Sequence, residues 1–246
     1  MAPGWVARRP VRRVERSPDL DVTPETWPAT LAPVAQLLRD GLDLGPATIL
    51  VGENGTGKST LIEAVAVAYG LSPEGGSTGA RHSTRVSESG LSEWLRVVRG
   101  AGASRWGYFL RAETMHGLFT YLEDNPAWPP EQPFHELSHG ESFLSMIMTT
   151  RFSRGGFFVL DEPEAGLSFT AQLTLLGVLA DMIDNGDAQL LLATHSPVIA
   201  ALPGAMIMEL DGSGFHRRSW SDLDVVDHYR RFIERPEAYL RRVIDS

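Results

Sequence analysis

Apolar residues fall along this chain in short runs divided by glycine- and proline-containing turns, and the runs alternate between strand spacing and helix spacing. Ala47-Thr48-Ile49-Leu50-Val51 is a continuous apolar run, as a strand buried on both faces requires. Residues 52–57 form a glycine-rich turn. Lys58 to Tyr69 then place Leu61, Ile62, Val65, Ala68 and Tyr69 at helical spacing, with Gly70 as the stop.

The alternation returns downstream. Residues 106–110, 157–160, 189–193 and 206–210 read as strands, the last followed by a turn over 211–214 and a hairpin partner over 215–220. Helices are predicted over 31–38, 91–98, 114–122 and 142–152, and two short ones close the chain. Ser168 caps a further helix that reaches Ile183, with Leu173, Leu176, Leu179 and Ile183 on one face and Asn185-Gly186 as its end. Residues 5–16 mix Val with Arg like an edge strand, 71–90 read as a long loop, and 126–133 as a proline-rich connection. This order predicts an α/β fold with a mostly parallel sheet covered on both faces.

Composition narrows the picture. The 246 residues suit a single domain over 1–246. There is no cysteine, which excludes disulfides and thiolate metal sites. No apolar run is long enough for a membrane helix, and no long apolar stretch follows the Arg-rich start, so a cytoplasmic location is expected. A net charge of −9 disfavours a nucleic-acid coat. Arg8, Arg9, Arg12, Arg13 and Arg16 form a local basic cluster whose plainer interpretation is a solvated strand edge. Of the 22 basic residues only Lys58 is lysine, so it is expected where a guanidinium cannot replace a compact ammonium.

That lysine lies in Gly52-Glu53-Asn54-Gly55-Thr56-Gly57-Lys58-Ser59-Thr60, which fits G-x-x-x-x-G-K-[ST] between a strand and a helix. Glycines let backbone N–H groups approach phosphates, and the helix N-terminus adds its positive end. Lys58 neutralises β- and γ-phosphates, and Ser59 offers a hydroxyl to Mg²⁺. Asp161 and Glu162 end the strand over 157–160, at the sheet edge where α/β proteins bind ligands. Asp161 is the candidate metal carboxylate and Glu162 the candidate for orienting the attacking water. His195, in Ala193-Thr194-His195-Ser196-Pro197, is placed to reach the γ-phosphate together with Glu162. Leu137-Ser138-His139-Gly140-Glu141-Ser142, before a helix, offers a further anion site. The lysine and the carboxylates are expected to converge from adjacent strand tips.

In order, GENGTGKST, LSHGES, FFVLDEPEAGLS and ATHSP resemble the Walker A, signature, Walker B with D-loop, and switch-histidine motifs of ATP-binding-cassette ATPases. Together with Gly107 to Glu113, they look like small stand-alone bacterial AAA-family ATPases. The resemblance covers most of the chain from about Leu44 onward. It implies a P-loop fold with a small helical lobe, at about 85–153, and binding and hydrolysis of ATP with Mg²⁺. It also implies an ATP-gated head-to-tail homodimer. Ser138, His139, Gly140 and Glu141 of one copy would complete the site of the other, with Ser168 on the seam. His139 departs from the family's glycine and Glu141 from its frequent glutamine. Arg111 and Glu113 are the polar candidates for the Q-loop. No aromatic residue matches the adenine-stacking position; Trp5 is a candidate, with packing as its plainer role. The segment before the signature is too short for a long coiled coil. Alternatives are the energising subunit of a membrane transporter, a nucleic-acid-associated repair-type clamp motivated by Arg8 to Arg16, and a nucleotide switch that barely hydrolyses ATP.

Overall fold

The computed structural model describes residues 9–78, 89–112, 145–147, 149, 152, 155–185 and 187–244. Its main sheet has seven strands in the order β10-β9-β3-β8-β7-β6-β4. These are β3 (Ala47–Gly52), β4 (Gly76–Ser77), β6 (Gly107–Arg111), β7 (Phe157–Asp161), β8 (Gln189–Thr194), β9 (Met206–Asp211) and β10 (Gly214–Arg218). The five central strands run parallel, and β10 and β4 pair antiparallel at the two edges.

Alternate side chains feed two cores. Ile49, Val51, Phe158, Leu160, Leu190 and Leu192 point to one face, Leu50, Phe157, Val159, Leu191 and Ala193 to the other. The first face is covered by α4 (Phe169–Asn185) and by Val226 of α5 (Asp224–Glu234), which α6 (Pro236–Ile244) follows. The second is covered by α1 (Ala32–Asp40) and α2 (Lys58–Tyr69). Beyond α2 lies a small antiparallel sheet of β2 (Leu42–Asp43), β1 (Val11–Arg16) and β5 (Leu95–Arg99), in the order β2-β1-β5. Sandwiched between two sheets, α2 is buried on nearly every side.

Gln189 ties the sheets together. Its Oε1 accepts the Val11 N–H at 2.8 Å, and its Nε2 donates to the carbonyls of Val11 at 2.7 Å and Gly45 at 2.9 Å. The side chain is buried, so Gln189→Leu strands three backbone groups away from water. An unpaired buried polar group costs about 1–3 kcal/mol. A fall in unfolding free energy of at least that size is expected, read as a lower urea midpoint.

Several predicted elements differ. The segment expected as an edge strand supplies β1, the middle strand of the small sheet, because both β2 and β5 pair with it. Within the expected loop over 71–90, Gly76 and Ser77 pair with β6 as β4. Residues 91–98 do not form one helix: a single turn, α3 (Leu91–Trp94), gives way to β5. Leu91, Leu95 and Val98 fit helical spacing, but β1 offers an open ladder in which Val14 faces Val97 and Glu15 faces Arg96. Pairing there overrides local propensity. Along α4, Leu175, Leu179 and Met182 face the core while Leu173 is 49% exposed. The helix is apolar around much of its circumference, so several faces satisfy the periodicity.

Of the arginines in the first strand, Arg13 is engaged within the small sheet, while Arg16 reaches the Leu20 carbonyl and Asp21 outside it. Arg13 pairs with Asp43 and Glu15, and also reaches the Asp40 carbonyl; Arg96 pairs with Glu15. The hydrogen bonds that Arg13 donates to Asp43 and then to Glu15 raise its pKa. Of the span 85–153, the stretch 89–112 supplies a helical turn and one strand to each sheet, and most of the remainder lies outside the described residues.

Candidate functional site

Parallel register brings four strand ends to one level. Leu50 pairs with Ala193, Ala193 with Asp161, and Asp161 with Arg111. The chain leaves each of these strands on the same side, so the loops after β3, β8 and β7 share one rim. The order corrects one expectation: β8 lies between β3 and β7, so the lysine and carboxylate strands are not neighbours, and the histidine strand separates them.

The loop after β3 owes its shape to glycine. A Cβ on Gly52 would run into the Leu210 carbonyl of β9, and Gly55 and Gly57 hold φ of 81° and 94°, in the left-handed region. Lys58, first in α2, is 4% exposed and donates from Nζ to the carbonyls of Gly52 at 2.7 Å and Glu53 at 2.8 Å. Burial lowers its pKa, against the opposing pull of Glu162, Asp161, Glu164 and Glu53. The amine is thus a cation short of compensation beside a loop built to face an anion.

Asp161 is 2% exposed. Its Oδ1 accepts the Ser59 hydroxyl at 3.3 Å, and its Oδ2 lies 3.4 Å from Arg111 Nε. Glu162 follows with φ of 52°, rare for a side-chain-bearing residue, while its N–H donates to the Ala193 carbonyl at 2.9 Å. This twist separates the two carboxylates: Asp161 is enclosed and Glu162 is 40% exposed at the cavity. His195 Nε2 stands 3.4 Å from Glu162 Oε1. A cavity of about 250 Å³ is bounded by Asn54, Gly55 and Gly57 to Thr60 of the phosphate loop, by Glu162 and His195, and by Trp27 and Leu31.

Ser59 and Asp161 present a hydroxyl and a carboxylate, the hard oxygen donors that Mg²⁺ prefers. Among the described residues no three His, Cys, Asp or Glu side chains form a metal cage.

The chain is similar to known ATP-binding proteins. The family model described as "AAA domain, putative AbiEii toxin, Type IV TA system" matches residues 130–201. The chain is 28% identical over 194 residues to the cytochrome c biogenesis ATP-binding export protein CcmA of Rhizobium meliloti (strain 1021), covering 70% of this chain and 87% of that protein. It is 28% identical over 181 residues to the aliphatic sulfonates import ATP-binding protein SsuB 2 of Rhodococcus jostii (strain RHA1), covering 70% and 72%. Among solved structures, one titled "An inward-facing conformation of a putative metal-chelate type ABC transporter" aligns with a TM-score of 0.48 and 15% identity, over 87% of this chain and 84% of that one. The chain is an ATP-hydrolysing protein similar to the ATP-binding proteins of ATP-binding-cassette systems.

Within this ATPase, Lys58, Ser59, Thr60, Glu162 and His195 border one cavity, with Asp161 directly behind Ser59. Arg111 sits on the far side of Asp161 and joins it to Glu63 of α2. Ser168 is exposed, and its hydroxyl accepts the Ala171 N–H at 3.3 Å as the cap of α4. Glu113, Ser138, His139, Gly140 and Glu141 lie outside the described residues, as does Trp5.

Three residues that pattern reading passed over belong to the site. Glu164 Oε1 accepts the backbone N–H of His195 at 2.6 Å and of Ser196 at 3.1 Å, fixing the loop that carries the histidine. Trp27 is 53% exposed and lines the cavity. Glu63 is buried within the first turns of α2. For Trp27 the available signal was a lone large aromatic in a Pro-bounded loop; for Glu63 it was a charge on an otherwise apolar helix.

Proposed function

We propose that this ATPase is Mg²⁺-dependent, that Lys58, Ser59, Asp161, Glu162 and His195 are its working residues, and that ATP closes two copies head to tail. The observation that carries the proposal is that Lys58, Ser59, Glu162 and His195 border one cavity at the ends of β3, β7 and β8, with Asp161 hydrogen-bonded to Ser59 behind it. The backbone amides of residues 52–60 cradle the phosphates, and Lys58 exchanges its two carbonyl partners for β- and γ-phosphate oxygens. Ser59 and Asp161 hold the cation, which supplies charge neutralisation at those oxygens. Glu162 orients and polarises the attacking water, and His195 steadies the γ-phosphate and Glu162. Trp27, on the cavity wall, offers a flat apolar face to the nucleotide base.

The segment around Ser138, His139, Gly140 and Glu141 completes the partner's site, with Ser168 on the seam. The whole chain, 1–246, acts as one domain with its helical lobe within 85–153, and it works in the cytoplasm. Among the described residues no helix is long and apolar enough to cross a membrane. A second role, energising a membrane transporter, is favoured by relatives described as export and import ATP-binding proteins. Nucleic-acid binding is disfavoured by the ion pairing of Arg13 within its own sheet.

Light scattering on the Glu162→Gln protein tests the dimer. The account expects a doubling of mass with Mg-ATP and a monomer without it; a monomer under both conditions rejects closure by ATP. A separate expectation concerns Glu164. Removing an acceptor of two backbone N–H groups costs about 1.5–3 kcal/mol. Glu164→Ala should therefore lower kcat by about tenfold to a hundredfold with little change in KM. Glu164→Gln, which keeps an oxygen acceptor, should recover most of it. Equal losses in steady-state phosphate release for both variants would reject the positioning role.

A further inference from the structure

Arg111 closes β6 in register with Asp161 at the end of β7. Three charged side chains are enclosed there: the side chain of Arg111 is 12% exposed, that of Glu63 6% and that of Asp161 3%. Arg111 Nη1 donates to Glu63 Oε2 at 2.8 Å, and its Nε lies 3.4 Å from Asp161 Oδ2. The other oxygen of Asp161 accepts the Ser59 hydroxyl. Asp161 is therefore held from two sides, by a hydroxyl on the cavity side and a guanidinium on the protein side.

We propose that Arg111 is a positioning residue that acts as the resident cation of the metal site, aiming Asp161 at Ser59 and weakening its pull on a divalent cation until nucleotide arrives. The inference rests on Ser59 and Asp161 being that site. Two buried carboxylates without a cation would be strongly unfavourable, and a guanidinium is the residue type suited to bridge them. Glu63 anchors the guanidinium from α2, so it cannot swing away when charge enters the cavity. A divalent cation on Asp161 meets repulsion from Arg111 within a few ångströms, in surroundings that screen poorly. Only the added negative charge of the triphosphate overcomes it. The cation therefore binds together with nucleotide, and the empty protein has little affinity for it.

The test uses the full chain and a fluorescent ATP analogue, titrated with Mg²⁺ to find the half-saturation point of nucleotide binding. Glu63→Gln combined with Arg111→Gln keeps a side-chain hydrogen bond between the two positions and leaves the net charge unchanged. It should lower the Mg²⁺ half-point by about tenfold, equivalent to roughly 1.4 kcal/mol. A merely structural role predicts a lower melting temperature with the half-point unmoved. A half-point within about twofold of the parental value, or above it, in a protein that still melts cooperatively overturns the inference. Should the double variant fail to fold, Arg111→Lys supplies the second arm. It keeps one charge but reaches one carboxylate only, and should lower the half-point about threefold; no change overturns the inference. Asp161→Asn separates the two claims. If it leaves the parental Mg²⁺ dependence untouched, the metal-site assignment itself fails, and the role of Arg111 with it.

Discussion

Glu162→Gln should lower the turnover of ATP by about a hundredfold to ten-thousandfold while leaving ATP affinity nearly unchanged. The substitution keeps the shape of the side chain and removes the oxygen charge that faces His195 Nε2 at 3.4 Å. It leaves the phosphate loop, Lys58 and the Ser59–Asp161 pair as they are, so binding is spared and only the step that needs a polarised water is lost. The strained backbone at residue 162, with φ of 52°, is imposed by its surroundings, and Gln tolerates it about as well as Glu. Steady-state phosphate release and equilibrium binding of ATP separate the two effects. A fall in kcat below tenfold would remove Glu162 from the chemical step, and a parallel loss of binding would make its role structural.

Lys58→Met should act at the other end of the reaction. Losing one partner of a desolvated charge pair costs about 2–5 kcal/mol, so ATP should bind about a hundredfold more weakly or worse. Without nucleotide the same change should raise the melting temperature. Among the described residues the buried ammonium donates to two carbonyls, and burial holds its pKa below the ordinary 10.5 against the pull of nearby carboxylates. A lysine depressed in this way costs the fold stability while it is charged, and the cost shrinks as pH rises from its folded pKa toward 10.5. The gain from Lys58→Met should therefore be largest at neutral and acid pH and fade in alkali. Thermal melts across that range, with and without Mg-ATP, check both halves. A variant less stable than the parent at every pH would show that the lysine stem, not its charge, matters most.

These expectations draw on features whose legibility differed. The strand, loop and helix that carry Lys58 were readable because each piece follows the last within a few residues, and the left-handed glycines leave a direct mark in the sequence. Asp161, Glu162 and His195 were readable for a similar reason, each standing just beyond an apolar run. The pairing of β1 with β5 was not, since Val97 and Val98 satisfy a helix until a partner strand is present. Nor was the insertion of β8 between β3 and β7, which is a property of sheet order alone. Gln189, Glu164 and the Glu63–Arg111–Asp161 chain matter through contacts distant in sequence, for which spacing gives no sign. Trp27 shows the same limit, as its place beside the phosphate loop depends on how the segment ahead of α1 folds back.

Central to the whole account is that Lys58, Ser59, Asp161 and Glu162 serve one triphosphate and its cation. Mn²⁺ substituted for Mg²⁺ in the Glu162→Gln protein with ATP, read by pulsed electron paramagnetic resonance, tests this most directly. The predicted spectrum shows phosphorus couplings from bound ATP that differ from those of free Mn-ATP and change when Asp161→Asn is added. Couplings identical to free Mn-ATP, or indifferent to residue 161, would contradict it.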